Sequence, residues 1–150
     1  MHAIFKGTLA ALGVAALAGV GIGAAPALAQ FGGGPPPPPN TGIPIGAELV
    51  GGNDQGRFGG VMDPPKGTLC YILNTPGLEG ATVAHIHRGA AGTNGPPVIT
   101  LETPTDGASG GCTPVEAGLA QEVLANPAGF YVNVHTQEVP TGAIRGQLKR

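Results

Sequence analysis

The chain has 150 residues, 28 of them Gly and 16 Pro, a composition that argues against a bundle of long helices and suits a turn-rich domain of short strands or a disordered chain. Charged residues make up only 11 % and the formal net charge is −2, which speaks against a phosphate-binding surface of clustered Lys and Arg and so against a nucleic-acid partner. One modest domain is the upper bound.

Residues 1–29 read as a secretory signal peptide. Lys6 supplies the early positive charge, an uncharged run rich in Ala, Leu and Val follows from Gly7, and Ala27-Leu28-Ala29 has the small-x-small pattern of a cleavage site before Gln30. The alternative is an uncleaved anchor, since a run of this length spans a bilayer of about 30 Å, but its Gly residues and Pro26 weigh against that. No Cys follows the run, which disfavours a lipid anchor. The expected location is secreted, periplasmic or cell-surface, with no membrane contact after cleavage.

Residues 30–42 form a Gly/Pro-rich linker. Gly32-Gly33-Gly34 leads into Pro35 to Pro39, which favour an extended polyproline rod and serve as a tether. Beyond Gln30 there are six basic residues against nine acidic ones, so the exported surface is mildly acidic.

Residues 43–150 form the folded domain. Short apolar runs punctuated by Gly, Pro, Asn and Asp predict strands near Ile45 to Val50, Arg57 to Met62, Thr68 to Leu73, Thr82 to His87, Val98 to Leu101, Phe130 to His135 and Ala143 to Lys149. Val115, Leu119, Val123 and Leu124 recur at helical spacing, which predicts a short crossover helix over Pro114 to Ala125 with Thr113 as its cap. The fold class is all-β, an antiparallel, Greek-key-like β-sandwich of about seven strands with one short crossover helix.

Cys70 and Cys112 both lie in the exported part, where an oxidising compartment favours a disulfide. Closing that loop stabilises the fold by about 4 kcal/mol on the chain-entropy argument. A paired-thiolate metal site is the rival reading.

Three histidines remain after cleavage, His85 and His87 on one predicted strand and His135 at the end of another. Side chains alternate along a strand, so Val83, His85 and His87 share one face and Ile86 turns to the core. By the same test Tyr131, Asn133 and His135 lie opposite Phe130, Val132 and Val134, while Arg145 and Gln147 lie opposite Ile144 and Leu148. If these strands are neighbours, His85, His87 and His135 converge on one ion with a coordination position open. Imidazoles suit copper or zinc, and the divalent affinity order favours copper(II), with zinc the weaker choice. Asn133 is placed to orient a ligand, and Arg145 either ties loop carbonyls or Glu138 across the face or draws a small anion toward the metal. The opposing reading keeps the histidines as hydrogen-bonding braces of loops.

An enzyme is the less favoured class. Ser109 is the only serine and no nucleophile elbow surrounds it, Gly32-Gly33-Gly34 lacks the Lys-Ser/Thr of a phosphate loop, and no carboxylate pair is close in sequence.

The stretches Ala84-His85-Ile86-His87-Arg88-Gly89, Gly95-Pro96-Pro97-Val98, Phe130-Tyr131-Val132-Asn133-Val134-His135-Thr136 and Gly142-Ala143-Ile144-Arg145-Gly146-Gln147-Leu148 together resemble the CHRD domain, named from chordin and widespread in exported bacterial proteins. The likeness runs over roughly Ile43 to Leu148 and implies an extracellular β-sandwich; the partner expected from the residues is a metal ion or an unknown extracellular protein. The growth-factor antagonism of chordin does not carry over to a single domain. Two positions depart from the family pattern: Ala47 to Gly52 stands where Glu-Val-Pro-Pro is frequent, and Arg88 replaces a frequent Gly, adding a charge beside the site. A weaker resemblance, to copper-zinc superoxide dismutase, rests on the His-x-His strand and the distant third His. The chain lacks counterparts of that enzyme's bridging His and zinc ligands, so the likeness implies mononuclear copper binding and not dismutase activity.

Overall fold

The computed structural model describes residues 42–150. The signal peptide expected over 1–29 and nearly all of the linker expected over 30–42 lie outside them. Among the described residues, no helix is long and apolar enough to cross a membrane.

The described residues form eight strands and one α-helix: β1 (Ile43–Gly51), β2 (Asp54–Asp63), β3 (Thr68–Asn74), β4 (Ala81–Arg88), β5 (Pro97–Leu101), β6 (Ala108–Pro114), α1 (Ala117–Ala125), β7 (Phe130–Thr136) and β8 (Ile144–Gln147). They join in one sheet of order β5-β4-β7-β8-β1-β2-β3-β6, every pairing antiparallel. The sheet curls until its two ends nearly meet. There the Ser109 hydroxyl in β6 donates to the carbonyl of Glu102, just past β5, at 2.8 Å, and the Glu102 amide donates to the Tyr71 hydroxyl of β3 at 2.6 Å. The all-β, sandwich-like fold expected from the strand pattern is therefore present in a nearly closed form.

Alternation decides what fills the interior. Ile45, Ala47 and Leu49 of β1, Leu69, Tyr71 and Leu73 of β3, Ala84 and Ile86 of β4, and Val132 and Val134 of β7 point inward and are buried. Aromatic residues are scarce, so this aliphatic set carries most of the hydrophobic stabilisation. β1 and β2 turn over through Gly52-Asn53, with Gly52 at φ 55°, where a side chain would be strained.

Two expectations need correction. An eighth strand, β6, runs through Ala-Ser-Gly-Gly-Cys, a segment with little intrinsic strand preference. Its pairing with β3 sets Cys112 directly opposite Cys70, and the two sulfurs are bonded at 2.01 Å. The helix begins later than Thr113, because Thr113 and Pro114 are the last residues of β6. Glu116 is the cap. Its carboxylate accepts from the Leu119 amide at 3.0 Å, and backbone amides of Gly118 and Leu119 hold its pKa below the ordinary carboxylate value. The buried face of α1, Ala120, Val123 and Leu124, joins the core.

Candidate metal centre

The site lies on the outer face of β4, β7 and β8. β7 is the middle strand, and its register sets His85 opposite Asn133, His87 opposite Tyr131 and Val83 opposite His135, which leaves His135 diagonal to His85. On the other side, Arg145 faces Asn133 and Gln147 faces Tyr131. The three histidines are thus brought together by strand pairing alone. Their ring centres form a triangle with all three sides 5.5 Å, and their ligand nitrogens lie within 4.8 Å of one another.

Two loops fix which nitrogens are free. His87 Nδ1 is 2.8 Å from the Gly95 carbonyl, and His135 Nδ1 is 2.8 Å from the Pro140 carbonyl. A carbonyl only accepts, so each Nδ1 carries the proton and donates it, and each Nε2 is left with a lone pair in the neutral ring. These two Nε2 atoms face each other at 3.4 Å. His85 is less constrained: its Nδ1 is buried without a hydrogen-bond partner.

The face is polar, as alternation predicts, but it is far from open. His87, Tyr131 and Asn133 are buried, because the 89–96 and 137–143 loops fold over them. The Tyr131 ring stacks on His87 at 5.0 Å with 14° between planes, and its hydroxyl accepts from the Gly95 amide. The Arg145 guanidinium lies 3.7 Å from the centre of the same tyrosine ring. It donates to Asn94 Oδ1 at 3.0 Å and to the Thr93 carbonyl at 2.8 Å, and not to Glu138, so it ties down the first loop. Asn133 donates to the Thr141 carbonyl at 3.2 Å and lies 3.4 Å from His135 Nε2. Gly142, at φ 121°, leaves the space that Asn133 occupies: a Cβ there would sit 2.2 Å from Asn133 Oδ1.

Electrostatics disfavour protons at this cluster. Burial holds the pKa of His85 below the usual imidazole value, and positive charge on His135 or His87 adds to the effect. His87 is also lowered, first by burial. The Gly95 carbonyl acts the other way, and His135 and Arg145 reinforce the lowering. Arg88 does not add to this field in the way its place in the sequence suggests. It points to the opposite face, pairs with Glu122 of α1 and lies over the Phe130 ring.

Sequence reasoning misses the carbonyls of Gly95 and Pro140, the stacking role of Tyr131, and Gln147, whose amide donates to the carbonyls of Gly89, Ala128 and Phe130. The signal available was the Pro and Gly content of the two loops, which marks turns but does not say where a turn's carbonyls point.

Neither curated proteins nor solved structures include a match to the chain. The family model of the CHRD domain matches residues 34–148, most of the chain, and takes in the strands that carry His85, His87 and His135: the chain belongs to the CHRD domain family.

Proposed function

We propose that this is an exported CHRD-domain protein that binds one copper ion per chain, in preference to zinc, through His85, His87 and His135, with a storage, delivery or protective role. The observation that carries the reading is the pair of Nε2 atoms at 3.4 Å, each in a ring whose Nδ1 is committed to a backbone carbonyl. One cation can bridge two ring nitrogens at this separation once His135 Nε2 gives up the Asn133 amide 3.4 Å away, and a proton is a poor candidate because burial disfavours the charged ring at His87. Export is supported by the Cys70–Cys112 bridge, which suits an oxidising compartment, and by the sequence of residues 1–29.

Calorimetric titration of tag-free protein tests this. We expect one copper per chain, at least about a hundredfold weaker binding in His135→Ala and in His87→Ala, and loss of affinity below about pH 6 as protons compete for the imidazoles. A second reading, an extracellular interaction module, draws on the same Nδ1 bonds, which brace the 89–96 and 137–143 loops over the sheet. Equal copper binding by the wild type and both variants selects that reading.

A further inference from the structure

We infer that the site is built for reduced, monovalent copper in three-coordinate geometry, and that Arg145 sets this preference against divalent ions. The inference rests on the metal-binding reading above. It draws on spacing and on charge.

The spacing of the ring centres matches a trigonal set, with the ligand nitrogens within 4.8 Å of one another. An imidazole whose nitrogen is about 2.0 Å from an ion has its ring centre about 3.2 Å away, so three rings spread evenly in one plane stand about 5.5 Å apart. The triangle of ring centres has 5.5 Å sides. Two such nitrogens lie about 3.3–3.5 Å apart at tetrahedral or trigonal angles and about 2.9 Å apart at a square-planar corner, the arrangement that divalent copper favours. The Nε2 atoms of His87 and His135 are 3.4 Å apart. Both rings are tied through Nδ1 to loop carbonyls, which opposes closing to the shorter distance. The Nδ1 of His85 is buried without a hydrogen-bond partner, so no bond is lost when that ring completes the set.

The charge separates monovalent copper from zinc, which accepts tetrahedral angles equally well. Among the described residues, the cluster holds three imidazoles and no carboxylate or thiolate, so nothing in it offsets a dication. A cation is stacked behind it instead. β8 and β4 flank β7, so Tyr131 is held between the Arg145 guanidinium and the His87 ring. Among the described residues no carboxylate pairs with that guanidinium, whose hydrogen bonds go to the Asn94 amide oxygen and the Thr93 carbonyl. Its repulsion of a bound ion scales with the ion's charge, twice as great for a dication, and the desolvation penalty of the partly buried site rises faster still.

The test is competition for metal under anaerobic conditions, with chromophoric chelators for Cu(I), Cu(II) and Zn(II), on tag-free wild type, Arg145→Gln and Arg145→Lys. Wild type is expected to bind Cu(I) at least about a hundredfold more tightly than Zn(II), with three nitrogen neighbours in the X-ray absorption spectrum of the Cu(I) form. Arg145→Gln is expected to narrow that ratio by about three- to tenfold, chiefly through tighter Zn(II) binding. Arg145→Lys, which keeps the charge and loses the planar stack, is expected to retain the wild-type ratio. Zn(II) or Cu(II) bound as tightly as Cu(I), four or more neighbours, or a ratio indifferent to Arg145→Gln overturns the inference while leaving the histidine site standing. A His85→Ala, His87→Ala, His135→Ala triple variant that binds all three ions like wild type overturns the site itself.

Discussion

Two outer faces of the same curled sheet are finished in opposite ways. The β4-β7-β8 face is overlaid by two loops, and nearly every polar group on it meets a loop carbonyl or amide: His87 with Gly95, His135 with Pro140, Asn133 with Thr141, Arg145 with Thr93. The β2-β3-β6 face is bare. Gly59, Val61, Ile72 and Gly110 lie on it around the exposed Cys70–Cys112 bridge, Ile72 is 61 % exposed, and a Cβ added at Gly59 would meet nothing within 4 Å. One side is held by directional hydrogen bonds at a dense polar cluster and the other by a covalent staple across a glycine-rich pair of strands. Order on the first side depends on loop geometry, and on the second on redox state.

The comparison is broken most strongly by reduction. Opening Cys70–Cys112 is expected to cost about 4 kcal/mol of stability, read as a lower melting temperature, while metal affinity measured below the new transition stays as in the oxidised protein. An equal loss of metal affinity would mean that the two faces are one unit. Next comes a matched pair of glycine substitutions. Gly142→Ala forces a Cβ against the Asn133 amide at a φ of 121° and is expected to cost at least about 2 kcal/mol. Gly59→Ala, on the bare face, is expected to change stability by less than about 0.5 kcal/mol. Denaturant unfolding of both variants decides it, and similar losses would contradict the contrast.

A smaller effect comes from acid. His85 and His87 titrate near about 6.5 when unfolded and lower when folded, so the unfolded chain binds more protons as the pH falls. Their contribution is fully present above about pH 6.5 and is lost as the pH falls through the folded values. The melting temperature of metal-free protein should drop over that window, and less so in a His85→Gln, His87→Gln double variant. An unchanged slope in that variant would place the acid sensitivity elsewhere. Smallest is the surface pair of Arg57 and Glu48, 72 % and 52 % exposed at 2.8 Å. Glu48→Gln should leave the melting temperature at its wild-type value within error, since water and salt screen such pairs.

Much of this was legible in the sequence, for identifiable reasons. Period-two alternation placed His85 and His87 on the face away from Ile86, and put His135 and Arg145 on the outer side of their strands, because a core of Val, Ile and Leu leaves little freedom in register. The same logic failed at β6. Ala108-Ser109-Gly110-Gly111 has no alternation to read, and it is a strand because β3 supplies hydrogen-bond partners and Cys70 supplies a bond. The helix starts later than its sequence suggests for a related reason: Thr113 and Pro114 make a good cap in isolation, but the ladder with Thr68 and Leu69 claims them first. Arg88 follows His87 in the sequence, yet one step of alternation sends it to the other face and to Glu122. The carbonyls that orient His87 and His135 were beyond reach, since a carbonyl's direction belongs to the loop's path and every residue has the same one to offer.

The near-closure of the sheet bears on how the protein behaves in a crowded compartment. Strands at the rim of a sheet present unpaired amides and carbonyls that recruit other chains into aggregates. Here one rim strand, β5, is five residues long and opens with Pro97, and the other, β6, is latched to β3 by its cysteine and bonded to Glu102 through Ser109. Reduction would leave β6 held on β3 by the hydrogen-bonded ladder alone and make it easier to uncover β3, whose Leu69-Cys70-Tyr71-Ile72-Leu73 core is apolar and has strong strand preference. The bridge therefore guards solubility, and a reduced sample should be turbid at concentrations where the oxidised one is clear.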